Sequence, residues 1–195
     1  MELRSFLALV ATLIIAASPA LAQAPQQAAP SAAKPAATPA KPTPEPPKID
    51  RLNDSQVWPA FAETAKTGKA CYLVGHPQKS EPAALKRGEI HLSVTHRPTE
   101  KSWNVVNFTA GYAYKEGTEV EVTIDQHKFT LFTSKEGAWA RDPATDKAIA
   151  EALAKGKQAV VKGTSARGTN TTDTFTLAGV AQSLGEIDKA CGLKR

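Results

Sequence analysis

Four histidines, two cysteines and one glycine-flanked serine loop are the residues of this chain whose type and spacing could carry chemistry. His91 and His96 are an odd number of positions apart, so on one strand they face opposite sides and share no metal without a bulge. His76 and His127 stand alone, and no H-E-x-x-H spacing exists. Each of the four reads as a surface or edge histidine. Gly163-Thr164-Ser165-Ala166-Arg167-Gly168 approaches two motifs and completes neither. A nucleophile elbow needs G-x-S-x-G at a strand-to-helix turn, and Arg167 takes the place of its second glycine. A phosphate loop needs Lys-Ser/Thr after its glycines, and Thr169-Asn170 stand there instead. Paired carboxylates are no better placed. Glu119 and Glu121 share one face of a strand, where solvated charge is the ordinary role, and Asp125 with Asp142 or Asp146 defines no cleft. No cofactor or metal is expected.

The elements that position these residues follow from the pattern along the chain. Gln158 to Ala178 reads as a hairpin: Ala159, Val161 and Gly163 alternate with polar neighbours, then Phe175 and Leu177 alternate with threonines across a Gly/Ser/Thr/Asn turn. Upstream, Ala70–Val74 is apolar on both faces and predicts a buried strand. Ile90, Leu92 and Val94 alternate with His91, Ser93 and Thr95, and His96-Arg97-Pro98 ends that strand. Val106, Phe108 and Ala110, then Val120, Val122 and Ile124, then Phe129, Leu131 and Thr133 predict an antiparallel meander with one wet face. Gly111 suits a bulge or a close approach. Asp142-Pro143 predicts a helix start, with Ile149 and Leu153 inward, a Glu151–Lys155 pair outside and Gly156 at its end. Leu184, Ile187 and Cys191 share one face of a second helix that ends at Gly192. The fold class is mainly β: an antiparallel β-sandwich or flattened barrel of seven to eight strands with two short peripheral helices.

Three regions organise the 195 residues. Met1–Ala22 has a basic residue (Arg4), an apolar run from Phe6 to Ala17 and an Ala20-Leu21-Ala22 cut site, the pattern of a signal peptide. Its apolar run falls short of the about 20 residues that span a bilayer, so the mature chain is expected to lack a transmembrane segment. Residues 23–48 are a Pro/Ala-rich linker, with prolines from Pro25 to Pro47, that is expected to be disordered and builds no core. At about 3.1 Å per residue it reaches roughly 80 Å as polyproline II. Residues 49–195 have the size of a single domain. The net charge of +5 is dispersed, without the basic patch of a nucleic-acid binder.

Cys71 and Cys191 have two readings. In an oxidising compartment an exported pair closes as a structural disulfide, tying the first core strand to the last helix. Redox or metal chemistry is the other reading, but there is no C-x-x-C and two distant thiols make a poor ligand set.

The segments CYLVGHPQKSEPAALKRGEIHLSVTHRP, KEGTEVEVTID, KFTLFTSKEGAWA, VVKGTSARGTNTTDTFTLAG and IDKACG resemble the bacterial invasion-associated locus B family. The resemblance covers about Trp58 to Gly192. It implies an exported, periplasmic or envelope-associated protein without enzymatic activity, in a family whose name-giving members are linked to host-cell invasion. It supplies no catalytic residues. The expected function is a binding or structural module, acting in host-cell interaction or envelope integrity. Its contact surface is the hairpin of Lys162, Ser165, Arg167, Thr169 and Asn170, facing an envelope or host-surface protein or glycan. Two alternatives belong to other classes. One is an envelope hydrolase assembled from scattered residues such as His96, Asp142 and Ser165, which a deep polar pocket holding them would reveal. The other is a small-ligand carrier, which an apolar cavity would reveal. N-terminal sequencing of the exported form should begin at Gln23, and a chain that keeps Met1 contradicts cleavage after Ala22.

Overall fold

Period-2 alternation becomes a ladder of eleven strands in the computed structural model, which describes residues 46–195. The leader and the linker up to Glu45 lie outside the described residues. The strands are β1 (Lys48–Arg51), β2 (Ala60–Ala65), β3 (Gly68–Gly75), β4 (Lys79–Glu81), β5 (His91–Arg97), β6 (Ser102–Thr109), β7 (Glu119–Ile124), β8 (His127–Ser134), β9 (Gly137–Trp139), β10 (Gln158–Thr164) and β11 (Asn170–Thr176). They form one antiparallel sheet in the order β1-β2-β3-β5-β6-β9-β8-β7-β10-β11-β4. Helices α1 (Pro143–Lys155) and α2 (Val180–Cys191) complete the domain. No helix among the described residues is long and apolar enough to cross a membrane.

Two expectations need correction. The periodicity predicts seven or eight strands because β1, β2 and β4 carry too little apolar alternation to show it. β1 is exposed at all four positions, β4 has three residues, and β2 (AFAETA) has Phe61 as its one large apolar side chain. Their pairing comes from neighbouring strands that supply the ladder, not from an apolar pattern of their own. The sheet also remains a single open ladder ending at β1 and β4, rather than two stacked sheets or a closed barrel. It curls enough for its inner face to meet itself: Phe108 of β6 packs edge-on against Phe175 of β11, with ring centroids 6.1 Å apart. Trp58, just before β2, reaches the same Phe175 at 6.3 Å and donates its indole N–H to the Thr176 carbonyl at 2.8 Å.

The helices form where the caps predict. Asp142 accepts the Thr145 amide of α1, and Ile149, Ala150 and Leu153 are buried. The exposed pair on α1 is Lys147–Glu151 at 3.8 Å instead of Glu151–Lys155. Gly192 ends α2 with a left-handed φ of 76°. Leu184, Ile187 and Cys191 turn inward from α2 onto β2, β3 and β5. There Cys191 is joined to Cys71 of β3, with Cα atoms 6.0 Å apart.

A crosslink this long in sequence restricts the unfolded chain and stabilises by about 2–4 kcal/mol. The double substitution Cys71→Ala, Cys191→Ala should lower stability by that amount in urea unfolding. Amide exchange should quicken first in α2. An unchanged midpoint with unchanged α2 protection contradicts this account of the bridge.

Candidate functional site

The hairpin tip is built by its own backbone. β10 and β11 pair in unbroken register from Gln158↔Thr176 to Thr164↔Asn170. The Ser165 amide donates to the Thr169 carbonyl at 2.9 Å, and the Gly168 amide to the Ser165 carbonyl at 2.7 Å. Gly168 takes φ +82°, a conformation that glycine adopts without steric cost. The Ser165 hydroxyl accepts the Thr169 amide at 3.1 Å and the residue is 7% exposed. Its oxygen holds the turn. The tip is also stitched to residues 113–115: the Ala166 amide donates to the Ala113 carbonyl at 2.7 Å, and the Lys115 amide to that of Thr164 at 3.0 Å.

A groove of ≈310 Å³ lies between this tip and the loop before β5, walled by Leu85, Lys86, Tyr112, Ser165, Arg167 and Thr169. Lys162 and Asn170 fall outside it. They line a shallow depression with Glu119 and Glu121, where Lys162 is registered opposite Glu121 across the β7–β10 ladder. The five hairpin residues singled out from the sequence are therefore divided between two surfaces. Lys86 and Tyr112, missed in the hairpin reading, join three of them.

Behind the groove lies a buried ion pair. Arg87 reaches Asp173 of β11 through both terminal nitrogens, at 2.9 and 2.5 Å, with side chains 3% and 0% exposed. Its guanidinium lies 5.6 Å from the Tyr112 ring centroid, and the Tyr112 hydroxyl is 2.6 Å from that of Thr171. Removing one partner of a buried pair typically costs about 3–5 kcal/mol, so the loop is held tightly. Gly111 permits the approach. Its φ is +69°, a Cβ there would stand 2.5 Å from the Gly88 carbonyl, and the Gly88 amide donates to the Gly111 carbonyl at 2.8 Å. Tyr114 lies deeper. Its hydroxyl is buried with no hydrogen-bond partner among the described residues, and burial raises its pKa. Asp173 shares the phase of Thr171 and Phe175 on the inner face of β11. An acid in the apolar phase of a strand is the signal that could have announced a buried cation.

The same signal marks His96. It follows Leu92 and Val94 on the inner face of β5 and is 0% exposed, which corrects the surface or edge reading. His76 and His127 are exposed, and His91 is half-buried, its Nδ1 without a hydrogen-bond partner among the described residues. His96 Nε2–H donates to Asp188 of α2 at 2.8 Å, and its Nδ1 accepts the Asn104 amide at 3.0 Å. Asn104 sits in a bulge of β6 with φ +57°, a conformation uncommon outside glycine. Arg195 completes the cluster on Asp188 and on the Asn104 side chain. Burial lowers the His96 pKa and the Arg195 charge adds to that, while Asp188 pulls the other way. Both ring nitrogens are occupied in the neutral form, so a proton taken at Nδ1 displaces the Asn104 amide.

His96, Asp142 and Ser165 are thus bonded to different partners: His96 to Asp188 and Asn104, Asp142 to Thr145, and Ser165 to Thr169. The capping bonds from Thr145 lower the Asp142 pKa. Asp146 accepts the Val106 amide at 2.8 Å, and burial raises its pKa. Among the described residues no group of three His, Cys, Asp or Glu side chains is placed to hold a metal ion.

The fold favours the neutral imidazole, so below the ordinary histidine pKa of 6.5 the unfolded chain binds the extra proton. The stability contributed by this site is complete above that pH and is lost as the pH falls toward the lowered value. An NMR titration should place the His96 midpoint below 6.5, and a midpoint above it contradicts the neutral, doubly bonded ring.

The family model described as "Invasion associated locus B (IalB) protein" matches residues 58–188. No curated protein and no solved structure matches the chain. The matched span starts at Trp58, takes in Cys71, His96 and the whole β10–β11 hairpin, and reaches Asp188 on α2. On that match the chain belongs to the invasion associated locus B family.

Proposed function

We propose that this chain is a non-catalytic module of the bacterial envelope, exported and disulfide-closed. It engages an acidic protein or glycan surface through the groove between the β10–β11 tip and the Leu85-Lys86 loop. One observation carries the reading: Lys86 and Arg167 flank Tyr112 in a groove whose wall is fixed by the buried Arg87–Asp173 pair. Two cations beside a half-buried aromatic ring suit carboxylates or sugar hydroxyls, and a rigid wall reduces the entropy lost on binding.

Family membership, the leader pattern of residues 1–22 and the Cys71–Cys191 bridge support the location. The separate hydrogen-bond roles of His96, Asp142 and Ser165 support recognition over hydrolysis. The module then bears on host contact or on envelope integrity according to which surface carries its partner.

Co-sedimentation of the purified mature protein with isolated envelope polymer tests this. Charge reversal by Lys86→Glu with Arg167→Glu, both outside the core, should cut the bound fraction about tenfold, equivalent to about 1.4 kcal/mol. The melting curve should not change. A double variant that sediments like the parent removes the groove from consideration.

A further inference from the structure

A second groove, of ≈440 Å³, opens on another part of the domain, and none of the hairpin residues line it. It runs between the start of β6, the first turns of α1 and the tail that follows α2. Its volume falls in the range of about 300–1,000 Å³ usual for small-molecule sites. Its apolar surface comes from Trp103, Val105, Pro143 and Leu193. Trp103 is half-buried and lies 5.7 Å from the His96 ring, so the floor rests on the buried His96–Asp188 cluster and on the Asn104 bulge.

The rim is cationic, and its charges are not equally free. Lys147 is paired with Glu151, and Arg195 is bonded to Asp188 and Asn104. Asp146, the acid on the floor, accepts the Val106 amide. Lys101 and Lys194 are exposed and carry no ion pair among the described residues. The groove therefore offers an apolar trough with two unpaired ammonium groups at its edge. An apolar ligand body would use the trough and neither cation, and a simple anion would use the cations and leave the trough wet.

We infer that this groove binds a small amphiphilic anion, a carboxylate on an acyl or aromatic body. The apolar part lies along Trp103 and Leu193, and the carboxylate lies between Lys101 and Lys194. This site is separate from the hairpin-tip groove and does not rest on the reading given to it.

Dodecanoate, kept below its micellar concentration, is the probe, followed by isothermal titration and by the NMR shift of the Trp103 indole N–H. Dodecanoate should bind saturably and move that resonance, whereas dodecyltrimethylammonium and acetate at equal concentration should not. Lys101→Glu with Lys194→Glu changes only exposed side chains and should weaken dodecanoate at least tenfold. Lys86→Glu with Arg167→Glu should leave its affinity unchanged, which separates this site from the hairpin groove. Equal binding of the cationic amphiphile, undiminished affinity in the Lys101/Lys194 variant, or shifts that map to Tyr112 would each overturn the assignment. So would flotation with anionic vesicles that dodecanoate does not compete.

Discussion

An open sheet that curls onto itself leaves part of its apolar face without a strand to cover it, and the position of α2 answers that constraint. Its face of Val180, Leu184 and Ile187 closes over β2, β3 and β5. Two attachments hold it there. The bond between Cys191 and Cys71 fixes its far end covalently. Asp188, one turn earlier, bonds His96 from beneath. At the other end Ser183 donates to the Trp58 carbonyl at 2.5 Å, so α2 is also tied to the segment that leads into β2. Everything described around His96, Asn104 and Trp103 rests on this helix being seated.

The two buried polar clusters do different things from the apolar core. Desolvation offsets most of what the buried Arg87–Asp173 ion pair gains, and the burial of Asp188 likewise offsets much of its hydrogen bond from the neutral His96 ring, so the two clusters add little net stability. They make other arrangements costly instead. Without Arg87 the acid of β11 would sit uncompensated against Phe175 and Thr171, so the loop that carries Lys86 has one favourable place. Without Asp188 the ring of His96 would lose its acceptor in a region closed to water. Each cluster lies under one of the two grooves and anchors residues beside its wall. A rigid wall is what a recognition surface needs, because ordering it on binding would cost affinity.

The two grooves also differ in character. The one at the hairpin tip is smaller, with the Ser165 and Thr169 hydroxyls, Lys86 and Arg167 around Tyr112. The one beside α1 is larger and lined by tryptophan, proline and leucine, with its free charge confined to the rim. A domain of this size can present both because the curled sheet separates them.

Alternation over Leu92–Val94, Val120–Ile124 and Ala159–Val161 was legible as strands. Asp142-Pro143 was legible as a helix start, and the family resemblance was legible from residue types alone. These are local signals: a strand's phase and a helix's cap depend on neighbours within a few positions. The same phase also placed His96 beside Leu92 and Val94, and Asp173 beside Phe175, as polar residues on apolar faces. What it could not supply was the partner. Arg87 stands 86 positions from Asp173, and Asp188 stands 92 from His96. Periodicity says which way a side chain points, and only the curl of the sheet and the seating of α2 decide what it meets. For the same reason the sequence grouped Lys162 with Arg167 on one hairpin. The folded strands turn them to different surfaces, because neighbours along a ladder are not neighbours across its edge.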